Sequence, residues 1–189
     1  MNPARQTHDA NDRRACWRHG LVFMLVMASI FVSGQNAHAA DAVFSGIRVA
    51  KAFDKFDDVW QVSAIARLRP PRRLRAEHLE FAAGAFSSPT KTRPFASLGP
   101  VWKFRNRSQR LSLALGFSAT LLGGSTLADR DLGGNLHFTS SVTLGAHFGR
   151  QREYELALRV QHTSNGGLNS TNPGLDAIAL TFSIDSPNR

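Results

Sequence analysis

The chain has 189 residues, with 23 Lys and Arg against 14 Asp and Glu, a formal net charge of +9. That length is one domain's worth of chain. Its single cysteine, Cys16, excludes a disulfide framework, and a thiolate metal site needs more than one thiol.

The first forty residues have the pattern of a secretory leader. Arg5, Arg13, Arg14 and Arg18 form a positive n-region, an apolar run from Leu21 to Val32 follows, and Ala37-His38-Ala39 supplies a small-x-small cleavage pattern. The expectation is a signal peptide over 1–39 and one domain over 40–189. Cys16 would leave with the leader, and with it any cysteine nucleophile. Without residues 1–39, which hold four Arg and two Asp, 19 basic and 12 acidic residues remain, a net charge of +7. A basic exported protein suits an anionic partner such as lipopolysaccharide, and export argues against nucleic acid.

Past the leader no run reaches the roughly twenty apolar residues of a membrane helix. The hydrophobic period is two. In Arg110–Leu121, Leu111, Leu113, Leu115, Phe117, Ala119 and Leu121 share one face, and Ser112, Ala114, Gly116, Ser118 and Thr120 the other. In Leu136–Phe148, Leu136, Phe138, Val142, Leu144, Ala146 and Phe148 oppose His137, Thr139, Ser141, Thr143, Gly145 and His147. Weaker alternation marks Val43–Phe53, Trp60–Arg69, Leu79–Phe86 and Phe95–Phe104, the last interrupted by Pro100. Glu153–Ser164 and Asp176–Ile184 complete eight strands. Pro70-Pro71-Arg72-Arg73, Gly123-Gly124 and Gly133-Gly134 read as turns or loops.

Each long strand is apolar on one face and rich in Ser, Thr, Gly and Ala on the other. Such a face is too bare for a soluble exterior but fits a narrow barrel interior. The predicted fold is all-β: an eight-stranded antiparallel up-and-down transmembrane β-barrel of the outer membrane, its apolar face toward lipid. Trp60, Trp102, Phe104, Phe138 and Phe148 lie where interfacial girdles form. With both termini periplasmic, the turn between the last two strands is extracellular. Arg72, Arg73, Arg75, Arg105, Arg107 and Arg110 then fall on the periplasmic side. Lys55, Lys91, Arg93 and Arg130 fall on the outer side, where they could meet anionic headgroups.

That last turn, Arg159 to Asp176, holds a histidine, a serine two residues on and an acid twelve residues later. Parity decides how they face. Tyr154, Leu156, Leu158 and Val160 put even positions of the seventh strand toward lipid, so His162 and Ser164 point outward. Asp176 shares the parity of Ile178, Leu180, Phe182 and Ile184. Polar groups facing hydrocarbon are costly unless they serve something. With Cα atoms about 6.5 Å apart by strand rise, His162 can take the Ser164 proton. If Ser164 paired with Asp176, the acid would lie diagonal to His162 and set its tautomer. Asn165 and the Gly167 N–H are the expected oxyanion donors, and Asn172 is expected to brace the loop before Pro173. His137 and His147 lie ten residues apart and His78 stands alone, which suits polar lining better than metal ligation.

The pattern His162-x-Ser164-Asn165, then Asn172-Pro173-Gly174 and an acid at Asp176, resembles the outer-membrane lipid A 3-O-deacylases, the PagL family. The specific motif is confined to residues 159–176. The resemblance implies hydrolysis of the ester-linked 3-hydroxyacyl chain at position 3 of lipid A, with Ser164 as nucleophile and His162 as base. It also implies that Asn165 helps form the oxyanion hole. The family's third member is Glu, and Asp176 is one methylene shorter. The expected partners are lipid A and outer-membrane lipids, with no metal or cofactor, and a homodimer left open. Two rivals are a non-catalytic structural or adhesive barrel and a phospholipid-to-lipid A acyltransferase.

Overall fold

Period-two alternation becomes strand along nearly the whole of the computed structural model, which describes residues 43–53, 55–56 and 58–184. The leader expected over 1–39 lies outside the described residues. The strands are β1 (Val43–Ala52), β2 (Trp60–Leu68), β3 (His78–Ser87), β4 (Thr92–Arg105) and β5 (Leu111–Leu122). A short ribbon follows, β6 (Thr126–Leu127) and β7 (Arg130–Asp131), then β8 (Leu136–Phe148), β9 (Tyr154–Ser164) and β10 (Leu175–Ile184). The eight long strands form one closed antiparallel barrel in chain order, and β10 closes on β1 from Gly46↔Ser183 to Ala52↔Ala177. Closure leaves no unpaired edge, which a strand needs where there is no water to bond.

Strand ends agree with the sequence expectation to within three residues, with β8 matching at both ends and β4 differing most. Pro100 does not break that strand. Pairing with β5 lapses after Leu98↔Ala119 and resumes at Val101↔Gly116 with no net slip, while Pro100 still faces Leu79 of β3. The missing N–H costs the β4–β5 ladder locally and leaves the register intact. The ribbon and a 3-10 turn at Arg72–Leu74 were not anticipated; both are too short to leave a period.

The wall is apolar outward. Leu113, Leu115, Leu144, Leu156, Leu158 and Leu180 are all more than 40% exposed, a surface suited to lipid and not to water. The interior is layered. At the end where β9 begins, the Glu155 carboxylate accepts from Lys103 at 2.8 Å and Arg67 at 3.1 Å. Next, Glu80 takes both oxygens' worth of Arg48 at 2.9 Å and also meets Arg159 at 2.9 Å. Neutral pairs follow: Gln161 donates to Gln61 at 2.7 Å, and Thr139 bridges Thr120 and Thr163 at 2.9 and 2.8 Å. The opposite end is sealed by an apolar cap that includes Phe56, Phe86, Phe95, Leu122, Leu132 and Leu175. Buried charges are tolerated where paired, and the apolar cap, which includes Leu175, lies under the β9–β10 loop.

Candidate active site

Along β9 the side chains of Leu156, Leu158, Val160 and His162 are exposed while Glu155, Ala157, Arg159, Gln161 and Thr163 are buried. His162 therefore projects from the outer wall, as parity requires. Ser164 shares its side and is half-buried. Asp176 lies on the same side of β10 as exposed Ile178 and Leu180.

The register differs from the pairing considered above. Asp176 lies opposite His162, and Ser164 opposes Phe138 of β8. The reason is general: a slip of two residues returns every side chain to its own face, so hydrophobic parity fixes the face and leaves even shifts open. The loop makes the choice, and it places Leu175 in the apolar cap. Direct opposition brings the acid closer than a diagonal would. The His162 Nδ1–H donates to Asp176 Oδ1 at 2.7 Å, with the two side chains 50% and 40% exposed. The shorter aspartate arm suffices because its backbone sits across from the imidazole. With Nδ1 committed to the carboxylate, Nε2 is the nitrogen left to accept a proton. Ser164 makes no hydrogen bond to His162 among the described residues. Its neighbour position two residues along the same face leaves the contact to side-chain rotation, as is common in unliganded sites.

The loop itself is tied from beneath by Asn165, which is fully buried. Its Nδ2 donates to Thr171 O at 2.7 Å and Gly133 O at 3.1 Å, and its Oδ1 accepts the Gly167 N–H at 2.9 Å. Its own backbone N–H donates to Asn172 Oδ1 at 3.1 Å. The oxyanion donors expected from sequence, Asn165 and the Gly167 N–H, are thus already occupied within the loop. A short asparagine followed by two glycines folds back on itself, and its buried amide must find partners there. Asn172 does brace the loop through Oδ1, and its Nδ2 has no partner among the described residues. It lines one small recess with Leu122, Leu127, Ser164, Pro173 and Leu175. Gly174 has a positive φ of 69°, and a Cβ there would lie 3.0 Å from His162 Cε1, so only glycine leaves the imidazole its place.

Of the four cations expected at the outer end, three bind the protein itself, and Lys55 is exposed without a partner among the described residues. Lys91 pairs with Asp129 at 3.3 Å, Arg93 donates to Thr126 O at 2.9 Å, and Arg130 stands 5.6 Å over Phe56. Of the other histidines, His137 bonds Gly134 O at 2.9 Å and His147 faces the lumen near Ser112 at 3.0 Å. Sequence reasoning passed over Ser140. It is exposed on the outer wall and directly opposite His162. The signal was present as the one gap in the apolar series of the sixth long strand.

A closed barrel that is apolar outside and polar inside, with a histidine–aspartate pair and a serine on its outer wall, defines an integral membrane β-barrel with an outward-facing polar site. The chain belongs to the PagL family: the model described as lipid A 3-O-deacylase (PagL) matches residues 59–185. Two relatives are lipid A deacylases PagL. That of Bordetella bronchiseptica is 32% identical over 87 residues, 46% of this chain and 47% of the relative. That of Pseudomonas aeruginosa is 26% identical over 84 residues, 44% and 47% of the two chains. The matched stretches thus span about half the length of these relatives. The crystal structure of the outer membrane enzyme PagL superposes with a TM-score of 0.53 at 18% identity, over 75% of this chain and 99% of that one. It has the same fold.

Proposed function

We propose that this chain is an outer-membrane lipid A 3-O-deacylase, with Ser164 as nucleophile, His162 as general base and Asp176 as the group that fixes the imidazole. The observation that carries this reading is the 2.7 Å bond from His162 Nδ1–H to Asp176, on the lipid-facing wall and beside an outward serine. A substrate that diffuses in the outer leaflet reaches such a wall sideways. Membership of a deacylase family supplies the substrate class.

In the proposed reaction His162 Nε2 takes the Ser164 hydroxyl proton as Oγ attacks the ester carbonyl carbon. The resulting oxyanion needs a donor, and Asn172, which lines a recess with Ser164 and whose Nδ2 has no partner among the described residues, is the best candidate. Collapse breaks the bond to the sugar 3-oxygen, which leaves with the proton from His162. Water then attacks the acyl-serine with His162 again as base, and the fatty acid departs. No metal is required.

Mass spectrometry of lipid A from cells expressing the wild type or Ser164→Ala tests the reading. One 3-hydroxyacyl chain should be lost with the wild type alone. Lipid A intact under both proteins, and intact again when several purified lipid A types are offered in detergent, would leave a structural barrel as the better account.

A further inference from the structure

At outward-facing strand positions of the described residues, side chains that are neither apolar nor aromatic are few. They are Lys51, Ser140, His162, Ser164, Asp176 and the Ser87–Thr92 pair at one hairpin tip. The tip pair bonds to itself at 3.1 Å and Lys51 stands 5.5 Å over Trp60. His162 and Asp176 bond each other, and Ser164 is the nucleophile of the proposed reaction. That leaves the Ser140 hydroxyl, exposed and without a hydrogen bond among the described residues.

Its place is defined by register. Asp176, His162 and Ser140 form one row across β10, β9 and β8, so Ser140 flanks the imidazole on the side away from the acid. Phe138, the cross-strand partner of Ser164, lies two residues along from Ser140 on the same face. On its other side Ser140 faces Phe117, whose ring stacks on Phe138 with centroids 5.9 Å apart. Val142 and Leu144 continue the strand toward the middle of the wall, 48% and 60% exposed. An alkyl chain attached to a carbonyl at Ser164 has two ways down this wall. Over β10 it would cross the Asp176 carboxylate, whereas over β8 it meets Phe138, Phe117 and Val142. The apolar route is favoured, and it contains one hydroxyl.

We propose that Ser140 binds the hydroxyl at C3 of the acyl chain being cleaved, and so selects 3-hydroxyacyl over unsubstituted chains. This rests on the deacylase reading above. The match is one hydroxyl on an otherwise apolar track to one hydroxyl on an otherwise apolar chain, two carbons from the carbonyl. Facing lipid, each would lack a partner without the other, and one such hydrogen bond is worth enough to separate the two chain types.

The test uses the full-length barrel in detergent micelles with two lipid A substrates that differ only at C3 of the 3-O-acyl chain, hydroxyl against hydrogen. The wild type should favour the hydroxylated substrate by roughly 10-fold in kcat/KM, the worth of one net hydrogen bond. Ser140→Ala should bring that ratio to about 1, and Ser140→Thr, which keeps a hydroxyl, should restore most of it. An unchanged ratio in Ser140→Ala overturns the inference, as does a wild type that shows no preference. Equal loss on both substrates also overturns it, and would make Ser140 a support for His162. Failure of the deacylase reading is distinguishable, because the wild type would then cleave neither substrate.

Discussion

Among the described residues the barrel carries a Ser–His–acid cluster inside and another outside, and only the outer is arranged for the proposed chemistry. Inside, Ser112 Oγ donates to Glu155 Oε1 at 3.2 Å, and His147 Nε2 meets Ser112 Oγ at 3.0 Å and Glu155 Oε1 at 3.6 Å. Serine and acid converge on the same nitrogen. With its one proton directed at Glu155, the serine accepts from Nε2–H, so that nitrogen cannot serve as its base. Outside, the acid holds Nδ1 and leaves Nε2 without a hydrogen bond among the described residues. The inner acid also faces Lys103 and Arg67 and is shut in the lumen. The outer pair is open to a lateral substrate. Residue types alone do not make a site; which nitrogen each partner holds, and which side of the wall they face, do.

Breaking the outer cluster should have the largest effect. Asp176→Asn keeps the shape but presents an amide to Nδ1, which lets the imidazole hold the wrong tautomer. Lipid A deacylation by the purified barrel should fall by about 10²–10⁴-fold while the barrel stays folded. A loss below tenfold would show that Asp176 does not set the imidazole. The inner cluster should respond in the opposite sense. Glu155→Gln leaves Lys103 and Arg67 facing a neutral amide in the lumen, and unfolding in urea should show a loss of about 3–5 kcal/mol. Activity per folded molecule should hold within about twofold, since His162 and Ser164 lie on the other face and toward the other end.

Much of this contrast was legible in the sequence, because parity is a local signal. Leu156, Leu158 and Val160 fix the outward direction of His162, and Ile178 and Leu180 do the same for Asp176. The eight strands follow from the same alternation. Three things were not legible. A two-residue register shift changes no side chain's face, so the sequence left open whether Asp176 opposes Ser164 or His162. The use of Asn165 is a matter of three-dimensional satisfaction: its amide is buried against Thr171 and Gly133, and residue 133 belongs to another loop. No spacing within residues 159–176 reveals that distant partner. The layered charges of the lumen were likewise hidden, since Glu80 and Arg159 are 79 residues apart.

Gly174 tests how tightly the outer geometry is held. Gly174→Ala puts a side chain at a φ of 69° and 3.0 Å from His162 Cε1. Backbone strain of about 1–3 kcal/mol should appear in urea unfolding. Deacylation should fall by roughly tenfold as the imidazole is displaced from Ser164. A stability loss with full activity would mean that the ring has room to move without consequence.

The smallest effect should come from Ser112→Ala, and it separates the two clusters most cleanly. Ser112 is the inner counterpart of Ser164, equally close to a histidine in residue type and closer to one in hydrogen-bond geometry. Were residue type and contact enough for function, its removal would cost activity. In the outer-site account the change removes one buried hydroxyl that donates to Glu155 at 3.2 Å and accepts from His147 at 3.0 Å. Glu155 retains Lys103, Arg67 and Ser183, the last at 3.2 Å. Stability should therefore fall by only about 0.5–1.5 kcal/mol, with deacylation unchanged within error. Ser164→Ala in the same membrane preparation should be inactive and as stable as the wild type, because its hydroxyl holds nothing together. A Ser112→Ala barrel that folds yet fails to deacylate lipid A would move the chemistry into the lumen and reverse the comparison.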